Sequence, residues 1–69
     1  MLKKRSFSLS RHRTSVALEP EFWAVLEAEA ARENLSMAAF VAQIDAKRGP
    51  RPLASALRLH ALAANARED

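Results

Sequence analysis

The sequence predicts a mainly α fold with one short strand, built as an intertwined homodimer whose strands form a two-stranded antiparallel ribbon, with a third helix at the C-terminus. Three observations predict it. Residues His12–Leu18 alternate, with Thr14, Val16 and Leu18 on one face and Arg13, Ser15 and Ala17 on the other. Two amphipathic helical patterns follow, the first opened by Pro20. At 69 residues the chain is one domain at most, in the size range where oligomerisation often completes a core. A lone strand leaves its backbone polar groups unpaired, and a second copy is the simplest partner.

Residues 1–11 read as a basic N-terminal arm. Ser6, Ser8 and Ser10 alternate with Phe7 and Leu9, a period of two that would also suit a strand. The segment is taken as a mobile arm that orders on binding. The alternative is that Phe7 and Leu9 pack on the dimer. No internal repeat is read in the chain.

The first helix is expected over residues 20–33. Glu19 and Glu21 sit favourably at its positive end. Phe22, Val25, Leu26 and Ala30 make an apolar stripe, and Trp23 lies at the stripe's border. Glu29 falls on the edge of that stripe, so it needs a partner such as Arg32 or partial exposure. Asn34 suits the left-handed position of a helix stop, and Ser36 is placed to cap the next helix. That helix is expected over residues 37–48, with Met37, Phe40, Val41 and Ile44 buried and Gly49-Pro50 as terminator. Residues 50–69 form a C-terminal extension. Its helix, residues 53–66, has Leu53, Leu57, Ala61 and Ala64 on one stripe, with Leu59 and Leu62 offset.

Charge is uneven. Residues 1–18 hold five basic side chains and no acid, while residues 19–69 hold six basic and eight acidic ones. A basic end of that kind favours a polyanion. The chain has no cysteine, which excludes a disulfide framework, a thiolate zinc site and a cysteine nucleophile. His12 and His60 are far apart and lack companion ligands, so no metal site and no cofactor are expected. Glu27, Glu29 and Glu33 follow helical spacing and read as a solvated face. Neither a phosphate-cradling glycine loop nor a nucleophile elbow is present, and the chain is not expected to be an enzyme. No window reaches the ~20 apolar residues of a membrane span, and the cytoplasm is the expected location.

Arg13-Thr14-Ser15-Val16-Ala17-Leu18, Glu19-Pro20-Glu21-Phe22-Trp23 and Asn34-Leu35-Ser36 together resemble the ribbon-helix-helix family of DNA-binding regulators, the MetJ, Arc and CopG type. The resemblance covers residues 12 to about 48, with a core of residues 12–49, and is closest to short bacterial stand-alone members with a third helix. It implies a homodimer that inserts its ribbon into the major groove of double-stranded DNA. Arg13, Ser15 and Ala17 would read bases. Arg can bridge two acceptors of guanine, Ser can bond several bases, and the Ala methyl can touch a thymine methyl. Ala17 is a weaker reader than the polar residue the family often has there. Ser36, Met37 and Ala38 would hold phosphate at the N-terminus of the second helix, joined by Lys3, Lys4, Arg5 and Arg11. His12 would contact phosphate or water. The dimer core would comprise Thr14, Val16, Leu18, Phe22, Leu26, Phe40, Val41 and Ile44.

The expected activity is sequence-specific DNA binding as a transcriptional repressor, DNA-bound on the nucleoid. The alternative is a small helical protein-interaction module, an antitoxin or adaptor, with residues 50–69 meeting a protein partner. A basic amphipathic segment on anionic membrane is a weaker alternative, since the basic cluster is short.

Overall fold

The structure is a computed structural model in which residues 1–67 are described. Two strands, β1 (Lys3–Leu9) and β2 (His12–Leu18), precede three helices, α1 (Pro20–Arg32), α2 (Met37–Lys47) and α3 (Leu53–Arg67).

The first correction concerns the strand's partner. Residues Lys3–Leu9 are not an arm; they pair antiparallel with His12–Leu18 of the same chain, from Lys3 opposite Leu18 to Leu9 opposite His12. One edge of β2 is therefore paired within the chain, and its other edge has no strand beside it among the described residues. Two facts make this possible. The alternation of β1 matches that of β2, so Phe7 and Leu9 join Val16 and Leu18 in the core. Ser10 and Arg11 take left-handed φ angles of 48° and 71°, the backbone that a two-residue hairpin loop requires.

The helices cover one face of the ribbon. α2 contacts β1, α3 contacts β2, and α3 also packs on both α1 and α2. Leu18, Leu26, Val41 and Leu57 have no exposed surface. Six of the eight residues expected in a dimer core, Val16, Leu18, Leu26, Phe40, Val41 and Ile44, are buried within one chain. Thr14 and Phe22 are half-buried.

The stripe of α1 is also turned from its expected position. Trp23, Leu26, Glu29 and Ala30 are its buried residues, whereas Phe22 and Val25 pack at the core's edge. Trp23 moves inward because β1 gives it a site. Its ring meets Phe7 at 6.0 Å between centroids, and its Nε1 donates to the Lys3 carbonyl at 2.8 Å. Phe22 faces Arg58 of α3, whose guanidinium carbon lies 5.9 Å from the ring centre. Glu29 is buried and accepts from Arg32 Nη1 at 2.8 Å, which resolves the placement of a carboxylate on an apolar stripe.

Helix ends follow local chemistry. Asn34 is left-handed at φ 58°. Leu35 N–H donates to the Ala30 carbonyl at 2.9 Å and Asn34 N–H to that of Ala31 at 3.1 Å, the paired closure of a Schellman motif. Ser36 Oγ accepts from Ala39 N at 3.1 Å and caps α2. At the other end of α2, Gly49 adopts φ 61°, a left-handed turn that suits glycine.

Candidate nucleic-acid interface

With one face of the ribbon under the helices, the other is open. It carries Lys4, Ser6 and Ser8 from β1 and Arg13, Ser15 and Ala17 from β2, because residues two apart in a strand share a face. All are exposed except Ala17, which is half-buried. The register sets Lys4 opposite Ala17, Ser6 opposite Ser15, and Ser8 opposite Arg13. At the centre the two serine hydroxyls are hydrogen-bonded, with Oγ atoms 2.9 Å apart. Neither strand nor the turn contains an acidic residue, so the surface is basic and rich in groups that both donate and accept.

Arg13, Ser15 and Ala17, expected as base readers, thus lie together on this open face. Sequence reasoning missed Ser6 and Ser8 beside them and placed Lys4 on an arm, for phosphate or minor-groove contact. A signal was present. Lys4-Arg5-Ser6-Phe7-Ser8-Leu9 and Arg13-Thr14-Ser15-Val16-Ala17-Leu18 share the order basic, polar, serine, apolar, small, leucine. The chain therefore does contain a short internal repeat, one unit per strand.

The expected phosphate contacts separate into two groups. Lys3, Lys4 and Arg11 are exposed, and Arg11 stands in the turn between the strands. Arg5 belongs elsewhere. It points to the packed face, where it pairs with Glu27 at 2.5 Å and lies over the Trp23 ring at 4.9 Å from its centre. The period-two pattern puts Arg5 with Phe7 and Leu9, which explains the change. Ser36 and Ala38 are exposed and Met37 is half-buried at the start of α2. The first amides of a helix lack partners within it, and Ser36 satisfies that of Ala39 alone among those its side chain is seen to bond.

His12 is exposed at the turn end of β2. His60 is half-buried and meets Phe40 edge-on at 5.3 Å between centroids; its Nε2 has no hydrogen-bond partner among the described residues. It lines a cleft of about 550 Å³ between α2 and α3, together with Phe40, Ile44, Lys47 and Leu59. Among the described residues no three His, Cys, Asp or Glu side chains cluster as metal ligands do. Among the same residues no helix is long and apolar enough to cross a membrane.

An antiparallel ribbon leading into a capped pair of helices, with a third packed against them, defines a ribbon-helix-helix protein. The chain belongs to the ribbon-helix-helix domain family, whose model matches residues 2–64. Proteins of this family are generally DNA-binding transcription regulators and typically not enzymes. The match reaches beyond residues 12–48 to include β1 and most of α3. No curated protein and no solved structure matches the chain.

Proposed function

We propose that this protein binds double-stranded DNA sequence-specifically by laying the open face of its ribbon in the major groove, and that it represses transcription by covering its operator. One observation carries the reading: Lys4, Ser6, Ser8, Arg13 and Ser15 are exposed together on a two-stranded ribbon with no acid. Such a ribbon matches the groove's width, and these side chains can bond base edges there. Lys3 and Arg11 flank it for phosphate, as do Ser36, Met37 and Ala38 at the start of α2. Contacts of this second kind set register without reading sequence. The cytoplasm is the proposed place of action, and a homodimer the proposed working state.

A role in protein interaction has its own observation. Leu59 and Leu62 are exposed on α3, at 46% and 54%, and give that helix an apolar surface for a second copy or another protein.

Selection of bound sequences from a random duplex pool, at about 0.15 M salt, tests the DNA reading. Enrichment of a defined motif is expected. Binding that depends on salt but enriches nothing overturns sequence specificity and leaves protein interaction as the role.

A further inference from the structure

The cleft between α2 and α3 has the make-up of a small-molecule site. Its volume, about 550 Å³, falls in the range of such sites, which pair an apolar floor with a few converging polar groups. Phe40 and Ile44 of α2 and Leu59 of α3 supply the floor. No strand residue lines the cleft, so an occupant leaves the open face of the ribbon uncovered.

Its positive charge is gathered where the two helices are joined. Lys47 ends α2, and Arg48 and Arg51 stand in the turn that leads to α3. Arg48 is already engaged, by Asp45 Oδ1 at 2.6 Å and by the Arg51 carbonyl at 2.7 Å. Lys47 and Arg51 are exposed and have no ion pair among the described residues. An anionic group at this end would gain charge-assisted hydrogen bonds from both. Glu33, which precedes α2, is the one acid on the lining, and it disfavours a second anionic group.

The far end is marked by His60. Its ring meets Phe40 edge-on, and Phe40 lies seven residues from Lys47, about 10 Å along the helix. His60 Nε2 is buried without a hydrogen-bond partner among the described residues, where buried polar atoms ordinarily have one. An occupant that brings an oxygen to this wall would supply it.

We propose that the cleft binds a small apolar monocarboxylic acid with a hydroxyl or carbonyl at its far end. The carboxylate lies between Lys47 and Arg51, the apolar body rests on Phe40, Ile44 and Leu59, and the far oxygen bonds His60. Charge and length select this class. A neutral molecule gains nothing from the two cations, and a diacid meets Glu33.

The test is a titration of the full chain with para-hydroxyphenylbutanoate, followed by nuclear magnetic resonance. Saturable shifts are expected at Phe40, Ile44, Leu59 and His60 and none in β1 or β2, with half-saturation below about 1 mM. The uncharged para-hydroxyphenylbutanol, and phenylbutanoate without the hydroxyl, are each expected to bind about tenfold more weakly. Lys47→Gln combined with Arg51→Gln is expected to abolish the advantage of the acid over the alcohol. Both side chains are exposed, so folding is preserved. His60→Phe, its fold checked by circular dichroism, is expected to abolish the advantage of the hydroxylated acid over the plain one. Equal affinity for acid and alcohol, a hydroxyl without effect, shifts on the ribbon instead of the cleft, or no saturation by about 5 mM each overturns the site. Cleft signals that move with protein concentration alone also overturn it, because a second copy then lies there. No outcome depends on whether the ribbon binds DNA.

Discussion

Trp23 Nε1 donates to the carbonyl of Lys3 at 2.8 Å, which ties the first helix to the first residue of the ribbon. The bond spans twenty residues of sequence and joins the two elements on either side of β2. With Phe7 against its ring and Arg5 over it, Trp23 holds β1 in place. The variant Trp23→Phe keeps most of the buried surface but leaves that carbonyl without its donor. A loss of about 1 kcal/mol is expected. Urea denaturation checks it, with the midpoint lowered and the slope unchanged.

Val16 and Ser15 are neighbours on opposite faces of β2. Val16 is buried and Ser15 exposed. Val16→Asp places an unpaired charge in the core and costs on the order of 4 kcal/mol, so helical circular dichroism is expected to collapse. Ser15→Asp is expected to leave the thermal midpoint nearly unchanged and, under the proposed function, to remove DNA binding through repulsion from the phosphates. A folded Val16→Asp protein would mean that the ribbon's faces are reversed.

Arg5 and Arg11 separate structural charge from charge proposed to meet phosphate. Arg11→Ala is expected to reduce the slope of log affinity against log salt by about 0.9. Arg5→Ala is expected to leave that slope unchanged, because Arg5 is engaged by Glu27 and Trp23. Titrations at several salt concentrations compare the two.

The turn stores strain. Ser10 and Arg11 both adopt left-handed backbone, which costs a side-chain-bearing residue roughly 1–2 kcal/mol. Replacing the pair by Asn-Gly is expected to stabilise the chain by about 1 kcal/mol, a rise of ~4–8 °C in thermal midpoint for a domain of this size. An unchanged or lower midpoint would refute the strain.

The carboxyl of Glu19 lies below its ordinary 4.5. A hydrogen bond to its own backbone lowers it most, desolvation opposes, and Arg58 at 3.2 Å lowers it further. A depressed carboxylate contributes stability above its unfolded value and loses it as pH falls through the folded one. The thermal midpoints of the unaltered chain and of Glu19→Gln are therefore expected to converge as pH drops from about 6 to about 3. A gap that persists in acid would assign Glu19 no role through its charge.

The helices were legible because their signals are local. Pro20, Asn34, Ser36 and Gly49 each do what their chemistry favours, and the bounds differ from expectation by one residue at three C-terminal ends. The polar face of β2 was legible from alternation alone. The hairpin was not, because Ser10-Arg11 lacks the glycine or asparagine that marks a two-residue turn, and because the basic residues of β1 mimic a solvated arm. Missing β1 hid Ser6 and Ser8, and it misplaced Trp23, whose inward turn depends on a strand twenty residues earlier. Arg5 could be placed only by extending the period of two back through Phe7.

The turn at Ser10-Arg11 also sets the kinetic order of assembly. Strands joined by two residues meet by local closure, within about 1–10 μs for a hairpin. Their encounter does not depend on how many copies are present. A ribbon shared between chains forms only by collision, and at low abundance it waits on diffusion. The pairing of β1 with β2 is thus complete within the first copy made, and dilution does not act on that hairpin.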